Sequence, residues 1–333
     1  MKKILALLLA LWIPAAVLSG CVPQDDSAAS NKLNIVTTIF PAYDWVREIL
    51  GDETVRAEIT MLLDSGVDLH SYQPTVDDIV KISDCDLFLY VGGESDGWVE
   101  DALKNAPNKE RKVIRLLDVL GDSAKAEETV EGMQEEEHGH EEEEHDHEEE
   151  AEYDEHIWLS LKNAQVLVAA ISEALQETDP ARKDTYAANA AAYVEKLSAL
   201  DGEYRAAVDS GKYKTLLFGD RFPFRYLADD YGLDYYAAFP GCSAETEASF
   251  ETVSFLAGKM DALGLPCVLT IEGTQHKIAE TIVQNTAQKN QQVLTMDSMQ
   301  AVTANDAASG VSYLSIMEKN LSVLKKALGQ ETE

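Results

Sequence analysis

One long stretch with almost no helix-breaking residues, Pro180 to Val208, divides the chain and limits the folds open to it. The stretch is rich in Ala, Lys and Glu, and its apolar residues recur at the spacing of one helix face. A helix of about 28 residues is ~42 Å long, because each residue adds 1.5 Å. That length lets one helix lie along two domains, so we expect a rigid connecting helix and not a flexible linker.

The two halves on either side of this helix resemble each other in plan. In both, short apolar runs alternate with helical patterns, as in α/β layers with mainly parallel sheets. We therefore predict an α/β fold of two lobes joined by the long helix at 179–210, with the first lobe at 32–178 and the second at 211–333. The predicted strands are Leu33–Thr38, Ala57–Met61, Leu87–Val91, Lys112–Leu116, Thr215–Gly219, Leu233–Ala238, Val268–Glu272 and Gln292–Met296.

A tract in the first half interleaves histidines with glutamates. Five of the chain's seven histidines fall between Glu127 and His156, and 127–155 contains 17 acidic residues without a Lys or Arg. Such a mixture suits Zn²⁺ and neighbouring divalent ions and cannot build a packed core. We predict a disordered loop over 124–153; the alternative is a solvated acidic tract without a metal. The weak metal ligands of the loop would be His138, His140, His145 and His147.

The charge of the chain bears on its partners. About half of the formal net charge of −33 comes from the acidic tract, and the remainder of the protein is moderately acidic. An acidic surface repels phosphate backbones and concentrates cations. We therefore expect no nucleic-acid partner.

The N-terminus has the features of an export signal. Two lysines precede an apolar run from Ile4 to Leu18, which is too short for a stable membrane span. Small residues then precede Cys21 as in the bacterial lipobox, whose cysteine becomes lipidated; the alternative is an ordinary signal peptide with an incidental cysteine. We predict a signal peptide at 1–20, a tether at 21–31, and an extracytoplasmic protein anchored by lipid to the membrane of a bacterium.

The three other cysteines carry no zinc motif by their spacing. Cys85 and Cys267 belong to apolar strand-like runs, where a thiol packs in the core. Cys242 lies in a Pro-Gly-Cys-Ser turn, and we expect it to be exposed.

Polar side chains follow several predicted strands, where ligands of open parallel sheets bind. Each also has a simpler explanation: an exposed histidine, a carboxylate paired with a neighbouring arginine, or a helix cap. The residues in such positions are His70, Asp220, Arg221, Glu272, His276 and Asp297.

Two motifs together resemble those of a known family. His70 lies in DLHSYQP, and His156 lies in DEHIWL directly after the histidine-rich tract. In this order they are similar to the H-x-Y-x-P and D-x-H-x-W-L motifs of the metal-binding lipoproteins of zinc and manganese ABC importers, over about Leu33 to Leu328. The resemblance implies a metal cleft between the lobes, with His70 and His156 as the first two ligands and Asp297 as the fourth. It also implies delivery of the metal to a membrane permease.

The third ligand position departs from this family. Counting back from Tyr231-Gly232-Leu233 places Arg221 there, and arginine has no lone pair to donate. A +1 charge ~5 Å from a +2 ion costs about 7 kcal/mol at an effective dielectric of 20, so Arg221 should point away or pair with a carboxylate. Asp220 is the expected substitute. His276 is a weaker candidate, and so is Glu272.

These observations predict a monomeric binding protein, and not an enzyme, whose ion is Zn²⁺. Carboxylate ligands would favour Mn²⁺, but the histidine-rich tract favours zinc. The alternatives are a manganese-specific lipoprotein of the same fold, a cleft that binds a chelate or an organic molecule, and a secreted metalloenzyme using the same site. Against the enzyme, the sequence has no HExxH motif and suggests no separate general base.

Overall fold

The long helix predicted from the sequence is present as α6, Lys183–Ser210, preceded by a 3₁₀ turn at Pro180–Arg182. The computed structural model describes residues 32–104, 106–134, 152–243, 247–273 and 276–330. The predicted signal peptide, the lipidation site Cys21, the tether and the four histidines of the tract lie outside the described residues. The buried side chains of α6 alternate at intervals of four and three residues: Tyr186, Ala190, Tyr193, Leu197, Leu200, Tyr204 and Ala207.

Two four-stranded sheets flank this helix, and all their pairings are parallel. The strand order is β2-β1-β3-β4 in the first sheet and β6-β5-β7-β8 in the second. The predicted α/β fold class is therefore confirmed, and the observed strands differ from the predicted ones by at most two residues at either end. The strands are β1 Leu33–Thr37, β2 Ala57–Met61, β3 Leu87–Tyr90, β4 Lys112–Arg115, β5 Thr215–Arg221, β6 Asp234–Phe239, β7 Cys267–Thr270 and β8 Gln292–Thr295.

Several helices begin after a capping Ser or Thr; Thr75, for example, forms a capping box with Asp78. No helix in the described ranges combines the length and apolarity needed to cross a bilayer. The other α-helices are α1 Phe40–Leu50, α2 Val76–Asp84, α3 Val99–Lys104, α4 Leu116–Leu120, α5 Leu161–Thr178, α7 Arg225–Tyr231, α8 Phe250–Leu263, α9 Lys277–Asn285, α10 Ala304–Ala308 and α11 Tyr313–Ala327. Further 3₁₀ turns are Gly51–Arg56, Leu69–Ser71, Glu94–Asp96, Gly121–Ser123 and Ile157–Leu159.

Helix α6 contacts elements of both halves of the chain. The Asn189 side-chain amide donates to the carbonyl of Ile49 at the end of α1 (3.0 Å), and the Tyr204 hydroxyl donates to the carbonyl of Met317 in α11 (2.7 Å). One cluster of buried apolar side chains includes residues of both sheets and of α6. Since each buried large side chain contributes about 1.5–3 kcal/mol, this shared core fixes the two lobes against the helix.

Residues 124–134, here called the strap, cross from the first lobe to the second. The sequence predicted disorder over 124–153, but the strap has defined contacts: Ala126 pairs with Tyr153, and the Gln134 amide donates to the carbonyl of Ala238 (2.9 Å). The strap also forms an ion pair with the second lobe, since Glu131 lies 2.9 Å from the Lys259 ammonium. The composition of the strap could not predict these contacts, because the partner residues lie elsewhere in the sequence.

Candidate metal centre

Two turns that follow strands of different sheets meet between the lobes. The turn after β2 carries His70, and the turn after β6 carries Cys242. The segment before α5 contributes His156, and within the described ranges these three side chains form a group of potential metal ligands whose donor atoms lie within 4.8 Å of one another.

The His70 ring is held on its Nδ1 side. The Asp68 carboxylate accepts the His70 backbone amide (3.0 Å) and so caps the 3₁₀ turn that carries the ring. The ring Nδ1 lies 2.9 Å from the Ser95 hydroxyl and 3.3 Å from Glu155 Oε2. The side chain is only 8% exposed, so these contacts fix its orientation.

The His156 ring is fully buried and is also held on its Nδ1 side. Asp154 Oδ1 lies 2.9 Å from both the backbone amide and the ring Nδ1 of His156. The apolar residues that follow anchor the segment, since the Trp158 indole N–H donates to the carbonyl of Ser298 in the second lobe (2.8 Å). Burial of Trp158 thus places His156 at the junction of the lobes.

The remaining ring nitrogens face each other, with 3.2 Å between His70 Nε2 and His156 Nε2. An ionised carboxylate only accepts hydrogen bonds, so Asp154 and Glu155 favour the tautomers that carry the proton on Nδ1. Both Nε2 lone pairs then point into one space, which is favourable only around a cation. Two imidazole nitrogens on a tetrahedral Zn²⁺ lie ~3.3 Å apart at Zn–N distances of 2.0–2.1 Å.

The surroundings of the pair are negative. Asp154 and Glu155 are each 1% exposed. Burial would raise the pKa of Glu155, but the hydrogen bonds and charge of His70 and the hydrogen bonds from Ser95 outweigh it and hold the pKa below its usual range. The carboxylate also fills the space beside Gly93, where a Cβ atom would lie 2.0 Å from Glu155 Oε1. A divalent cation between the rings would balance these buried charges.

Cys242 is partly buried beside the two rings, and the expectation that it is exposed was wrong. Its turn packs against His156, and its backbone amide donates to Glu127 of the strap (2.8 Å). Burial and the carboxylates of Asp154 and Glu127 raise the pKa of the thiol. Without a cation beside it, the thiol therefore stays protonated.

The other residues predicted to bind metal lie outside the group of His70, His156 and Cys242. The carboxylates among them accept hydrogen bonds from backbone amides. Asp220 accepts the amides of Arg221 (3.0 Å) and Ile271 (3.4 Å). Asp297 accepts the amide of Met299 (2.8 Å), and burial together with the nearby Glu272 raises the pKa of Asp297 to about 6.

The two weaker metal-ligand candidates, Glu272 and His276, also lie outside the ligand group. Glu272 accepts the amide of Ser298 (2.6 Å) and the amide of Gln300 (3.0 Å). His276 occupies the N-cap position of α9 without a side-chain hydrogen bond to the helix, and its buried Nδ1 has no hydrogen-bond partner among the described residues. The structure thus brings His70 and His156 together, and it leaves the four other candidates at neighbouring strand ends.

Arg221 pairs with a carboxylate, as expected for a cation next to a metal site. Its guanidinium contacts Asp68, and it also donates to the Ser243 carbonyl (3.4 Å). Arg221 therefore contacts both turns: the turn of His70 through Asp68 and the turn of Cys242 through Ser243. Burial would raise the pKa of Asp68, but the charges of Arg221 and His70 hold it below its usual range.

We expect Arg221→Met to weaken Zn²⁺ binding by roughly tenfold, because partners that orient ligand segments contribute 10–100-fold to metal affinity. The repulsion between Arg221 and the ion is already offset by Asp68. The measurement is a competition titration with a zinc chelator. Lys162→Met is the matched control, since Lys162 pairs with Asp230 (3.2 Å) at an exposed position. Tighter binding by Arg221→Met would show that charge repulsion dominates.

Sequence reasoning missed Cys242, Ser95 and Glu127. Only Cys242 could have been found from the sequence. Its turn directly follows β6, and ligands of open parallel sheets bind beyond the ends of strands, the rule here called the strand-end rule. The same rule suggested Asp220 and Asp297. Ser95 and Glu127 contact the site through long-range folding, which no local pattern reports.

The chain is similar over most of its length to known proteins. Residues 35–327 match the family described as zinc-uptake complex component A, periplasmic. The chain is 34% identical over 333 residues to the zinc-binding lipoprotein AdcA of Streptococcus pneumoniae (strain TIGR4), covering 99% of this chain and 62% of the relative. It is 31% identical over 298 residues to the high-affinity zinc uptake system protein ZnuA of Bacillus subtilis (strain 168), covering 90% of this chain and 88% of the relative. The chain thus spans less than two thirds of the AdcA relative.

A solved structure has the same fold. The crystal structure of the Zn(II)-bound ZnuA-like domain of Streptococcus pneumoniae AdcA has a TM-score of 0.68 and 30% sequence identity, and the match covers 90% of this chain and all of that domain. The similarity therefore extends over the lobes and the connecting helix together.

Proposed function

Because the chain belongs to the family of the periplasmic component A of zinc-uptake complexes, we propose that it captures Zn²⁺ between its two lobes and delivers the ion to the permease of an ABC importer. His70 and His156 bind the ion, and the histidine-rich tract collects zinc at low affinity. The chain acts outside the cytoplasm, attached to the membrane by lipid on Cys21.

One observation carries the proposal: the two Nε2 atoms face each other 3.2 Å apart while carboxylates hold both Nδ1 atoms. The two rings are preorganised for a cation, because the carboxylates already fix their orientation. Binding therefore loses little free energy to the ordering of side chains. A closed site with buried ligands also suits retention of an ion during transport, whereas a catalytic zinc keeps an open position for water.

The tract is tested separately by replacing residues 135–151 with a short Gly-Ser linker. The replacement leaves Glu127 in place to hold the Cys242 turn. We expect the full chain to bind several Zn²⁺ and the linker variant to bind one, with the tightest Kd unchanged, because a sequence this polar and charged is not expected to pay for a packed scaffold that fixes its imidazoles around an ion. The extra sites should empty as the pH falls through about 6 to 7, when free imidazoles become protonated.

Calorimetry and metal analysis of the two proteins measure this difference. If the linker variant loses the tightest site, the tract itself supplies essential ligands and its role as a low-affinity collector is wrong. If neither protein binds zinc tightly, the proposed function is wrong.

A further inference from the structure

We infer that Cys242 is the third zinc ligand, as a thiolate, and that this sulfur makes the site select Zn²⁺ over Mn²⁺. The inference rests on the proposed function and specifies its site. It departs from the family resemblance, which implied an imidazole or carboxylate at the end of β5, where this chain has Arg221.

The Cys242 turn is built against the histidine pair. Gly241 packs on the His156 ring, since a Cβ atom there would lie 3.3 Å from its Cε1 and Nδ1 and 2.9 Å from the carbonyl of Phe222. Glycine is thus the residue that lets the backbone approach the ring this closely. The next residue, Cys242, then brings its Sγ within 4.8 Å of a ring nitrogen of His70 and a ring nitrogen of His156.

Ligand-bearing segments of the first lobe hold this turn in place. The Cys242 amide donates to Glu127 of the strap (2.8 Å), and the backbone of Glu155, the residue before His156, lowers the pKa of the Cys242 thiol against the effect of burial. The turn is therefore tied to the same segment that carries the second histidine. A tetrahedral Zn²⁺ needs ~3.6 Å between sulfur and imidazole nitrogen, so a small closing movement completes the three contacts.

Arg221 explains why the ligand comes from β6 and not from β5. Its guanidinium has no lone pair, and it is committed to Asp68 and to the carbonyl of Ser243, the residue after Cys242. The arginine at the end of β5 thus supports the neighbouring turn that supplies the sulfur. Asp220 lies outside the group of donor atoms that meet within 4.8 Å of one another, and its oxygens accept the amides of Arg221 and Ile271.

The donor set decides which ions bind. Two imidazoles and a thiolate suit Zn²⁺, Cd²⁺ and Co²⁺, whereas Mn²⁺ prefers carboxylate, carbonyl and water oxygens. On binding, the S–H bond of Cys242 breaks, the sulfur forms a bond to the metal, and the proton passes to solvent. A nearby carboxylate as the fourth ligand would complete a closed shell without water.

The test compares the linker variant with its Cys242→Ser form. Cys242→Ser should weaken Zn²⁺ binding by roughly 100-fold, the share of one ligand in a four-ligand site. It should change Mn²⁺ binding by much less, so the zinc-to-manganese preference narrows. The Co²⁺ complex of the parent should show a thiolate-to-metal charge-transfer band that the variant lacks. Cys267→Ala is the control cysteine, because Cys267 is buried in β7.

The outcomes separate this inference from the proposed function. If Cys242→Ser keeps full zinc affinity and the parent Co²⁺ complex lacks the charge-transfer band, sulfur does not bind and the inference is overturned. The histidine site then stands if His156→Ala still weakens zinc. Thermal unfolding of the metal-free proteins checks that the serine variant is folded, and the band in the parent tests the sulfur without any variant.

Discussion

Replacing either His70 or His156 by alanine should weaken Zn²⁺ binding by roughly 100-fold, or about 3 kcal/mol. This estimate divides a zinc-binding free energy of about 10–16 kcal/mol among four ligands. Each replacement removes one of the two Nε2 atoms that face each other and leaves a buried carboxylate without its histidine. The variants belong in the linker background, so that the tract contributes no zinc, and a competition titration measures the loss.

His276→Ala is the matched control for these two variants. His276 is also a partly buried histidine after a strand, but it lies outside the ligand group and directly precedes α9. Its replacement should leave the zinc Kd unchanged. A loss in His276→Ala with none in His156→Ala would move the site to the end of β7.

The second large effect is expected from Asp154→Asn and Glu155→Gln, at about 10–100-fold each in zinc affinity. An amide can turn its N–H₂ group toward the imidazole Nδ1, which then becomes the acceptor. The proton moves to Nε2, where it blocks the metal. The ring stays in place but carries the wrong tautomer, so affinity falls without loss of the fold.

Asp229→Asn is a suitable control for this pair, since Asp229 pairs with Lys125 (2.8 Å) at a partly exposed position. Nitrogen chemical shifts of the imidazoles report the tautomers directly. Unchanged affinity in both amide variants would mean that the carboxylates do not set the tautomers of His70 and His156.

Local patterns were sufficient to predict the fold. Helix α6 keeps an apolar face for its whole length, and the strands are short apolar runs bounded by breakers, so their positions follow from neighbouring residues alone. His70 and His156 were predicted from motifs that resemble those of a known family, and in both motifs an aspartate two residues before the histidine accepts its backbone amide. These aspartates belong to the motifs that identified the histidines.

The rest of the site depends on tertiary contacts. The strand-end rule applies to Cys242 as well as to Asp220, although only Asp220 was predicted from it. The fold directs the Asp220 carboxylate to the Ile271 amide and the Cys242 turn to the His156 ring. The strap likewise looked disordered because its partners, such as Ala238 and Lys259, lie about a hundred residues away.

X-ray absorption at the zinc edge tests most directly whether His70, His156 and Cys242 bind the ion, because the spectrum reports the ligand atoms around zinc. The sample is the linker variant loaded with one equivalent of Zn²⁺. We expect two imidazole nitrogens at about 2.0–2.1 Å and one sulfur at about 2.3 Å from the zinc. A shell of oxygen ligands without imidazole scattering would contradict the assignment of His70 and His156 as the residues that hold zinc.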